Sequence, residues 1–227
     1  MSEETMELIE KKIAFIKPFV PPNKLTRIQE VIPHRSRHLS IVLEDIYQPH
    51  NAGACLRTCE CFGVQDIHII ENTHSYRPSH DVALGSDKWL SINVYKDTNS
   101  NNNEECLKTL KDKGYKIAAT YLDEGTIPID ELDVSSPTAI VFGTEQHGIG
   151  PFWRENADNL VKLPMWGFTQ SYNISVSVAI SINSLMNKIK RNDVNWQLSE
   201  AERLEIILEW YIKSAANGEK IIKAQFG

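Results

Sequence analysis

Short, continuous apolar runs alternate with helical patterns along most of this chain, and this alternation is the feature that most limits its fold. The runs occupy residues 39–43, 67–70, 92–95, 115–121, 139–142 and 160–163. Such runs are typical of strands that are buried on both faces of a parallel sheet. Helical patterns separate them, notably at 51–62, 103–113 and 173–190. The pattern predicts an α/β domain with a mainly parallel sheet and helices on both faces.

The two ends of the chain carry helical patterns without strands. Apolar residues at helical spacing predict one helix over 3–17, and a second ends at Pro33. Near the other end, Ser199 and Glu202 form a capping-box pattern, and Gly218 is the predicted C-cap of that helix. We therefore predict three parts, an N-terminal helical extension, a central domain and a C-terminal helical extension, with boundaries at 1–38, 39–191 and 192–227.

Composition excludes several classes of protein. The 227 residues contain no run of 18 apolar residues, and the acidic start is unlike a secretory signal peptide. The four cysteines match neither a zinc site nor a disulfide framework, so we expect no metal and a cytoplasmic location. A net charge of −6 argues against indiscriminate binding to nucleic acids, although basic residues cluster before the first strand and near residue 190.

Two polar loops follow two of the predicted strands and indicate a ligand site. The strand at 139–142 opens into the glycine-rich segment 143–150, and the strand at 160–163 opens into a loop that ends at Asn173. Ligands of open α/β sheets lie beyond the carboxyl ends of the strands, where the connecting loops meet. We expect these two loops to form the walls of one pocket.

Familiar nucleotide and hydrolase motifs are absent from the sequence. There is no P-loop, no G-x-G-x-x-G dinucleotide fingerprint, no G-x-S-x-G elbow and no H-E-x-x-H motif. Any ligand of these loops must therefore be bound by another loop geometry.

Taken singly, the candidate residues have ordinary structural interpretations. Asn51 suits a helix N-cap, and an arginine such as Arg57 is often solvated or ion-paired. Glu145 could cap a helix, as could Ser171 and Asn173. For the remaining candidates we expect structural roles. His147 has only its position in the loop in its favour, and Cys55 and Cys59, one helical turn apart, are expected to be small buried side chains of the core.

The combination of motifs is more specific than any one of them. The order N-x-x-x-x-x-R, then F-G-x-E-x-x-G-I, then L-P followed by Q-S-x-N-x-S-V-x-x-A-I resembles the three motifs of the SpoU family over roughly residues 39–190. These are RNA ribose 2′-O-methyltransferases of the SPOUT superfamily, and the chain is most similar to their TrmH-type transfer-RNA branch. The resemblance implies a C-terminal trefoil knot, a homodimer, and S-adenosylmethionine as the cofactor, and we expect no membrane partner.

The resemblance also assigns residues to roles. It implies a catalytic group of Asn51, Arg57, Glu145, Ser171 and Asn173. It implies cofactor contacts from Thr120, Phe142, Gly143, Leu163, Ser171, Tyr172 and Asn173, with the contact at Tyr172 made by main chain, since this branch often has leucine there. Basic residues predicted to hold RNA are Arg27, Arg35, Arg37, Lys188 and Arg191.

Two questions stay open at this point. In the family the arginine that matches Arg57 is proposed as a general base, yet guanidinium is effectively always protonated, so a phosphate clamp is the less costly role. The substrate expected from the resemblance is transfer RNA, with the D-loop guanosine as one target. Ribosomal RNA or another transfer-RNA position is the alternative, because the tail after Glu200 is acidic. A non-catalytic RNA-binding protein and a small-molecule α/β enzyme are the competing classes.

Overall fold

The computed structural model describes residues 2–123, 125–144, 147–192 and 194–227, with position 80 described by its backbone alone. The strands are β1 Leu39–Glu44, β2 Asp66–Ile70, β3 Ser91–Tyr95, β4 Lys116–Thr120, β5 Ile127–Pro128, β6 Thr138–Phe142 and β7 Asn159–Lys162. The helices are α1 Glu3–Ile16, α2 Pro22–Val31, α3 Pro49–Phe62, α4 His80–Ala83, α5 Asn102–Asp112, α6 Pro151–Asn156, α7 Ile174–Arg191, α8 Glu200–Ser214 and α9 Gly218–Phe226.

The sheet is parallel throughout its described pairings, which confirms the predicted fold class. Within the described part of the chain it has seven strands in the order β3-β2-β1-β6-β4-β7-β5. The carboxyl ends of three neighbouring strands, β6, β4 and β7, therefore meet at one edge. These ends are the sites of Phe142, Thr120 and Lys162, from which the loops of the predicted pocket begin.

Helices cover both faces of the sheet because alternate strand residues point in opposite directions. On one face, Leu43 of β1 belongs to a buried cluster with Leu56 of α3 and Val178 of α7. On the other face, Val42 belongs to a cluster with residues such as Leu110 of α5. Both clusters are fully buried, so each face of the sheet has its own apolar core.

The terminal helices form a compact unit of their own. The segment up to Arg35 and the segment Gln197–Gly227 make one unit, and Ser36–Trp196 makes the other. In the first unit α1 packs against α8 and α9, and Ile16 and Trp210 are buried. Most of the two segments that were predicted as extensions, 1–38 and 192–227, thus lies in one unit built from both ends of the chain, whereas 36–38 and 192–196 belong to the central unit.

Two predicted helix caps are wrong. The capping box of Ser199 and Glu202 is confirmed at the start of α8, but that helix ends at Ser214, before the predicted cap Gly218. Gly218 instead begins α9, where a Cβ atom would lie 2.1 Å from the carbonyl oxygen of Ile212. Glycine is needed there for close backbone approach, not for a left-handed cap.

Asn51 is the second wrong cap. Helix α3 starts earlier, with Gln48 at the N-cap and Pro49 in the first turn, where its missing N–H costs nothing. Asn51 therefore lies inside the first turn of the helix and is buried. Its side chain does not cap the helix but hydrogen-bonds to Gln48 at the start of the same helix and to Asn173 at the start of α7.

No helix among the described residues combines the length and the apolar character that a membrane span needs.

A buried histidine makes the stability of the central unit depend on pH. His68 of β2 is fully buried, and its Nδ1 atom lies 2.8 Å from the hydroxyl of Tyr95. Burial, assisted by the charge of Lys113, lowers the pKa of His68 from 6.5 to about 4. Between these two pH values His68 is therefore protonated in the unfolded chain and neutral in the folded chain.

We expect the free energy of unfolding to fall as the pH drops from 6.5 towards 4, by about 3 kcal/mol from this group. Urea unfolding of the wild type and of His68→Gln across this range measures the effect. The variant should lose less stability on acidification, whereas the exposed control His34→Gln should follow the wild type. Parallel pH profiles for wild type and His68→Gln would contradict the assignment.

Candidate active site at the carboxyl edge of the sheet

The loops at the carboxyl edge enclose a cavity of about 310 Å³ in the central unit. This volume lies within the range of small-molecule sites, about 300–1,000 Å³. The residues lining it are Thr120, Tyr121, Leu122, Phe142, Gly143, Thr144, His147, Gly148, Val161, Lys162, Leu163, Met165, Gln170, Ser171, Tyr172, Ile174 and Ser177. They come from the ends of β4, β6 and β7 and from the start of α7, which is where the sequence predicted a pocket.

The cavity brings together most of the residues predicted to bind the cofactor. Its lining includes Thr120, Phe142, Gly143, Leu163, Ser171 and Tyr172. Asn173 does not line it and is instead the N-cap of α7, where its Oδ1 atom accepts the backbone N–H of Ser175 at 2.9 Å. The structural interpretation of Asn173 as a cap is therefore correct for its Oδ1 atom.

The first wall of the cavity is a tight turn that requires glycine. Thr144 and Gly148 exchange two backbone hydrogen bonds, of 2.9 and 3.0 Å. A Cβ atom on Gly143 would lie 2.0 Å from the carbonyl carbon of Gly148, so any side chain would displace the turn. Gly148 itself has a φ of 66°, a conformation that glycine adopts without strain. Gly143 and Gly148 therefore bring main chain to the cavity at positions that carry no side chain.

A buried carboxylate anchors the far end of the same turn. Glu44, at the end of β1, accepts the backbone N–H of Gly150 at 2.9 Å and the side-chain amide of Asn103 at 3.2 Å. Burial raises the pKa of Glu44 despite these two hydrogen bonds. The turn is thus fixed to β1 at one end and continues from β6 at the other.

The second wall is closed by a tyrosine. The Tyr172 hydroxyl donates to the carbonyl oxygen of Pro164 at 3.1 Å and so joins the two ends of the loop between β7 and α7. A leucine, which the resemblance leads one to expect at this position, could not make that bond.

Removing the Tyr172 hydroxyl tests its role in the second wall. One neutral hydrogen bond contributes about 0.5–1.5 kcal/mol, so we expect Tyr172→Phe to weaken cofactor binding by roughly 2- to 12-fold. Isothermal titration of S-adenosylmethionine measures the change. Tyr211→Phe, which removes a hydroxyl that accepts a hydrogen bond from Gln29 in the terminal unit, is the matched control. Equal affinities of wild type and Tyr172→Phe would show that the loop does not depend on this bond.

An amide network links the helices α3 and α7 beside the cavity. Asn173 donates from Nδ2 to Oδ1 of Asn51 at 3.1 Å, and Asn51 donates in turn to Gln48 at 3.1 Å. Asn51 is therefore a bridge between the two helix starts. The structure thus brings together two residues of the predicted catalytic group that are 122 positions apart in sequence.

Arg57 lies on α3, six residues beyond Asn51, and is exposed to solvent. It does not line the cavity, and within the described part of the chain no hydrogen bond or ion pair engages its guanidinium. The side chain is therefore available to a ligand. Glu145, the remaining member of the predicted catalytic group, lies outside the described residues.

The residues predicted to contact RNA differ in their exposure to solvent. Arg27 and Arg191 are exposed, although Arg27 also pairs with Glu30 at 3.0 Å. Arg35 is 1% exposed with its guanidinium 5.6 Å from the ring centre of Trp210, so its prediction as a surface RNA contact is corrected.

The other two predicted RNA contacts are engaged within the central unit. Lys188 donates to the backbone carbonyl oxygens of Asp130 and Leu132 at 2.8 and 2.7 Å, which fixes its ammonium group. Arg37 lies 3.4 Å from the carboxylate of Asp66, with about a quarter of its side chain exposed. Both side chains thus make contacts within the protein.

Sequence reasoning missed several residues of the cavity. Tyr121 receives a hydrogen bond from Arg154 at 2.9 Å, and Lys162 is the last residue of β7. Ser177 lies one turn into α7, and His147, for which a structural role was expected, also lines the cavity. Tyr121 and Lys162 lie directly at strand ends, which is the signal that could have identified them.

Among the described residues no group of three or more histidine, cysteine, aspartate or glutamate side chains could hold a metal ion, and the four cysteines form no disulfide bond.

The fold and the cavity define an α/β protein with a small-molecule site at the carboxyl edge of its sheet. A family model described as the SpoU rRNA Methylase family matches residues 38–183. The chain belongs to this family and is therefore an RNA methyltransferase.

Relatives within the family are similar over most of the chain. It is 39% identical over 207 residues to a tRNA (guanosine(18)-2′-O)-methyltransferase of Borreliella burgdorferi, covering 91% of this chain and 93% of the relative. A protein of the same name from Thermus thermophilus is 36% identical over 154 residues, which cover 68% of this chain and 77% of the relative. The A. aeolicus TrmH/SpoU tRNA modifying enzyme has a similar structure, with a TM-score of 0.74 at 28% identity over 83% of this chain and 95% of that one.

Proposed function

We propose that this protein methylates the 2′-hydroxyl of a ribose in transfer RNA, with guanosine 18 as the target and S-adenosylmethionine as the methyl donor. The observation that carries the proposal is the cavity, because the residues expected to bind the cofactor converge on it in a chain of this family. Relatives of high coverage bear names that specify this nucleotide.

The cavity suits the proposed cofactor in size and chemistry. Phe142, Val161 and Leu163 are buried side chains that offer apolar surface to an adenine ring. Gly143 and Gly148 offer backbone groups without side-chain bulk, and Ser171 and Gln170 add polar groups. When bound, S-adenosylmethionine supplies a methyl group that is already activated on a sulfonium, so the protein does not need to generate the electrophile.

The remaining tasks belong to the chain's own residues. They must hold the ribose in line with the methyl group and accept or stabilise the charge that develops as the hydroxyl loses its proton. Arg57 is the proposed residue for the second task. A cationic guanidinium can grip a phosphate in bidentate fashion and stabilise an alkoxide, and this role avoids the cost of deprotonating arginine.

Positioning is the proposed role of the amide network. The Asn51–Asn173 hydrogen bond joins the helix that carries Arg57 to the helix that begins at the second wall of the cavity. In this way the network fixes the spacing between Arg57 and the cofactor loop. Glu145 and Ser171 complete the proposed catalytic group, and Arg27 and Arg191 are the remaining candidates for phosphate contacts at the surface.

We further infer a homodimer in the cytoplasm. Val176 and Ile180 of α7 expose 44% and 37% of their surface and lie one turn apart on the helix that begins at the cavity. Such an apolar stripe suits an interface with a second copy. Sedimentation should give a dimer for the wild type and a monomer for Ile180→Asp, whereas Asn187→Asp, on the same helix, should stay dimeric. A monomeric wild type would contradict the inference.

Family membership also supports a trefoil knot in the C-terminal part of the central unit. The loops that follow β6 and β7 are the segments through which the chain would be threaded. A crystal structure traced through residues 138–191 tests this directly, since an unthreaded trace would reject the knot.

The function is tested by transfer of labelled methyl groups from S-adenosylmethionine to total transfer RNA and, separately, to ribosomal RNA, followed by nucleoside mapping. We expect the label as 2′-O-methylguanosine in transfer RNA. Label in ribosomal RNA alone would show that the substrate is ribosomal RNA and not transfer RNA. Binding of the cofactor without transfer to either RNA would contradict the proposed reaction.

A further inference from the structure

Two aromatic side chains are almost fully exposed in the loop between β7 and α7. Trp166 is 91% exposed and Phe168 reaches 110% of its reference area. Burying a large apolar side chain stabilises a protein by roughly 1.5–3 kcal/mol, and the folded chain does not gain this stabilisation from either exposed ring. Exposed apolar groups of this size, close together in the chain, mark a surface for a partner.

The rings belong to the loop that forms the second wall of the cavity. Trp166 directly follows Met165, and Phe168 precedes Gln170 by two residues, and both of these neighbours line the cavity. The hydrogen bond from Tyr172 to Pro164 closes the loop around them. A macromolecule that delivers its reacting atom to the cavity therefore meets this loop.

The charge of the protein gives a reason for non-ionic contacts with RNA. The chain has a net charge of −6, and of the predicted basic contacts Arg35 is buried and Lys188 is bound to backbone carbonyls. Phosphate neutralisation, which dominates most protein–nucleic acid affinity, is correspondingly limited. Base stacking on aromatic rings is an alternative source of affinity that needs no charge.

We propose that Trp166 and Phe168 stack on nucleobases of the substrate RNA next to the ribose that enters the cavity. This inference rests on the proposed function and adds to it the residues that hold the target region of the RNA. A second copy of the chain suits these rings less well, because their neighbours Thr169, Gln170 and Ser171 are exposed and polar. The aliphatic stripe of Val176 and Ile180 is better matched to the apolar core of a subunit interface.

The test compares Trp166→Ala, Phe168→Ala and their combination with Trp166→Phe, which keeps a ring. Affinity for unmodified transfer RNA is measured over a range of salt concentrations, together with cofactor affinity and sedimentation. We expect each alanine variant to bind transfer RNA about 5- to 100-fold more weakly. Trp166→Phe should retain most of the affinity, and the indole fluorescence of the wild type should be quenched by RNA to a greater extent than that of Trp166→Phe.

The salt dependence separates stacking from charge. The slope of log affinity against log salt should stay unchanged in the alanine variants, because no phosphate contact is removed. In the control Arg191→Ala, loss of a phosphate contact would reduce this slope by about one. A changed slope in Trp166→Ala would overturn the stacking assignment.

Four further results would also overturn the inference. Unchanged RNA affinity in the double variant would show that the rings do not contact RNA. Dissociation of the dimer in the double variant would assign them to the subunit interface, and weaker cofactor binding with unchanged RNA affinity would assign them to the cavity. If wild type and double variant both methylate transfer RNA with the same KM for the RNA, the stacking proposal is rejected and the proposed function stands. A wild type that methylates no RNA rejects the proposed function itself.

Discussion

Replacing Arg57 by alanine is expected to lower the rate constant of methyl transfer by about 10³-fold, the usual size of a lost charge-stabilising or proton-transferring group. Arg57 is exposed and, among the described residues, engaged by no hydrogen bond or ion pair, so its loss should leave the fold intact. The cavity lining does not include it, so cofactor affinity should be unchanged. Single-turnover transfer with saturating RNA measures the effect on the chemical step.

Two further variants show whether the loss is specific to the proposed role. Arg57→Lys keeps a positive charge but not the bidentate fork, so its rate should lie between those of wild type and Arg57→Ala. Arg203→Ala removes an equally exposed arginine from α8 and should transfer methyl groups at the wild-type rate. If Arg57→Ala reacts as fast as Arg203→Ala, Arg57 has no part in the chemistry.

Replacing Gly143 by alanine is expected to abolish measurable cofactor binding. The added Cβ atom would lie 2.0 Å from the carbonyl carbon and 2.1 Å from the carbonyl oxygen of Gly148. Both are main-chain atoms, so the turn itself must move, and with it the backbone of one cavity wall. We expect titration with S-adenosylmethionine to show no binding, while circular dichroism still shows a folded α/β protein.

Gly167→Ala is the matched control for this variant. It places the same methyl group on the other wall of the cavity, where the nearest atom, the hydroxyl oxygen of Thr169, lies 3.9 Å away at ordinary contact distance. It should therefore bind the cofactor as the wild type does. Normal binding by Gly143→Ala would mean that the cavity is not the cofactor site.

The sequence predicts the architecture well where the signal is local. Apolar runs such as the one at 39–43, in strand Leu39–Glu44, are nearly continuous because parallel strands are covered on both faces, and they stand out without any knowledge of the fold. The position of the cavity follows from the same pattern, since the loops of interest begin at strand ends. β5, with two residues that include Pro128, is too short to give such a signal.

Contacts between distant segments are what the sequence could not reveal. Arg35 sits in a run of basic residues that suggests a surface, but its side chain is buried and lies over Trp210, which is far away in the sequence. Lys188 is likewise at the basic end of α7 and yet donates to carbonyl groups of Asp130 and Leu132. Composition alone predicts charge, whereas tertiary packing decides which charges remain available.

In the site, too, local features could be predicted from the sequence and contacts between distant segments could not. The motifs predicted which loops form the cavity, but the hydrogen bond between Asn51 and Asn173 depends on the packing of α3 against α7. The assumption that Asn51 caps its helix failed because Pro49 already occupies the first turn. A residue freed from capping in this way is available for a bridge that no local pattern predicts.

The most direct test of the central claim is methyl transfer to two transfer RNAs that differ in a single atom. One carries guanosine at position 18, and the other carries 2′-deoxyguanosine there. We expect S-adenosylmethionine to label the first as 2′-O-methylguanosine and to leave the second unlabelled. Equal labelling of both RNAs, or label on a base instead of a ribose, would contradict the proposed function.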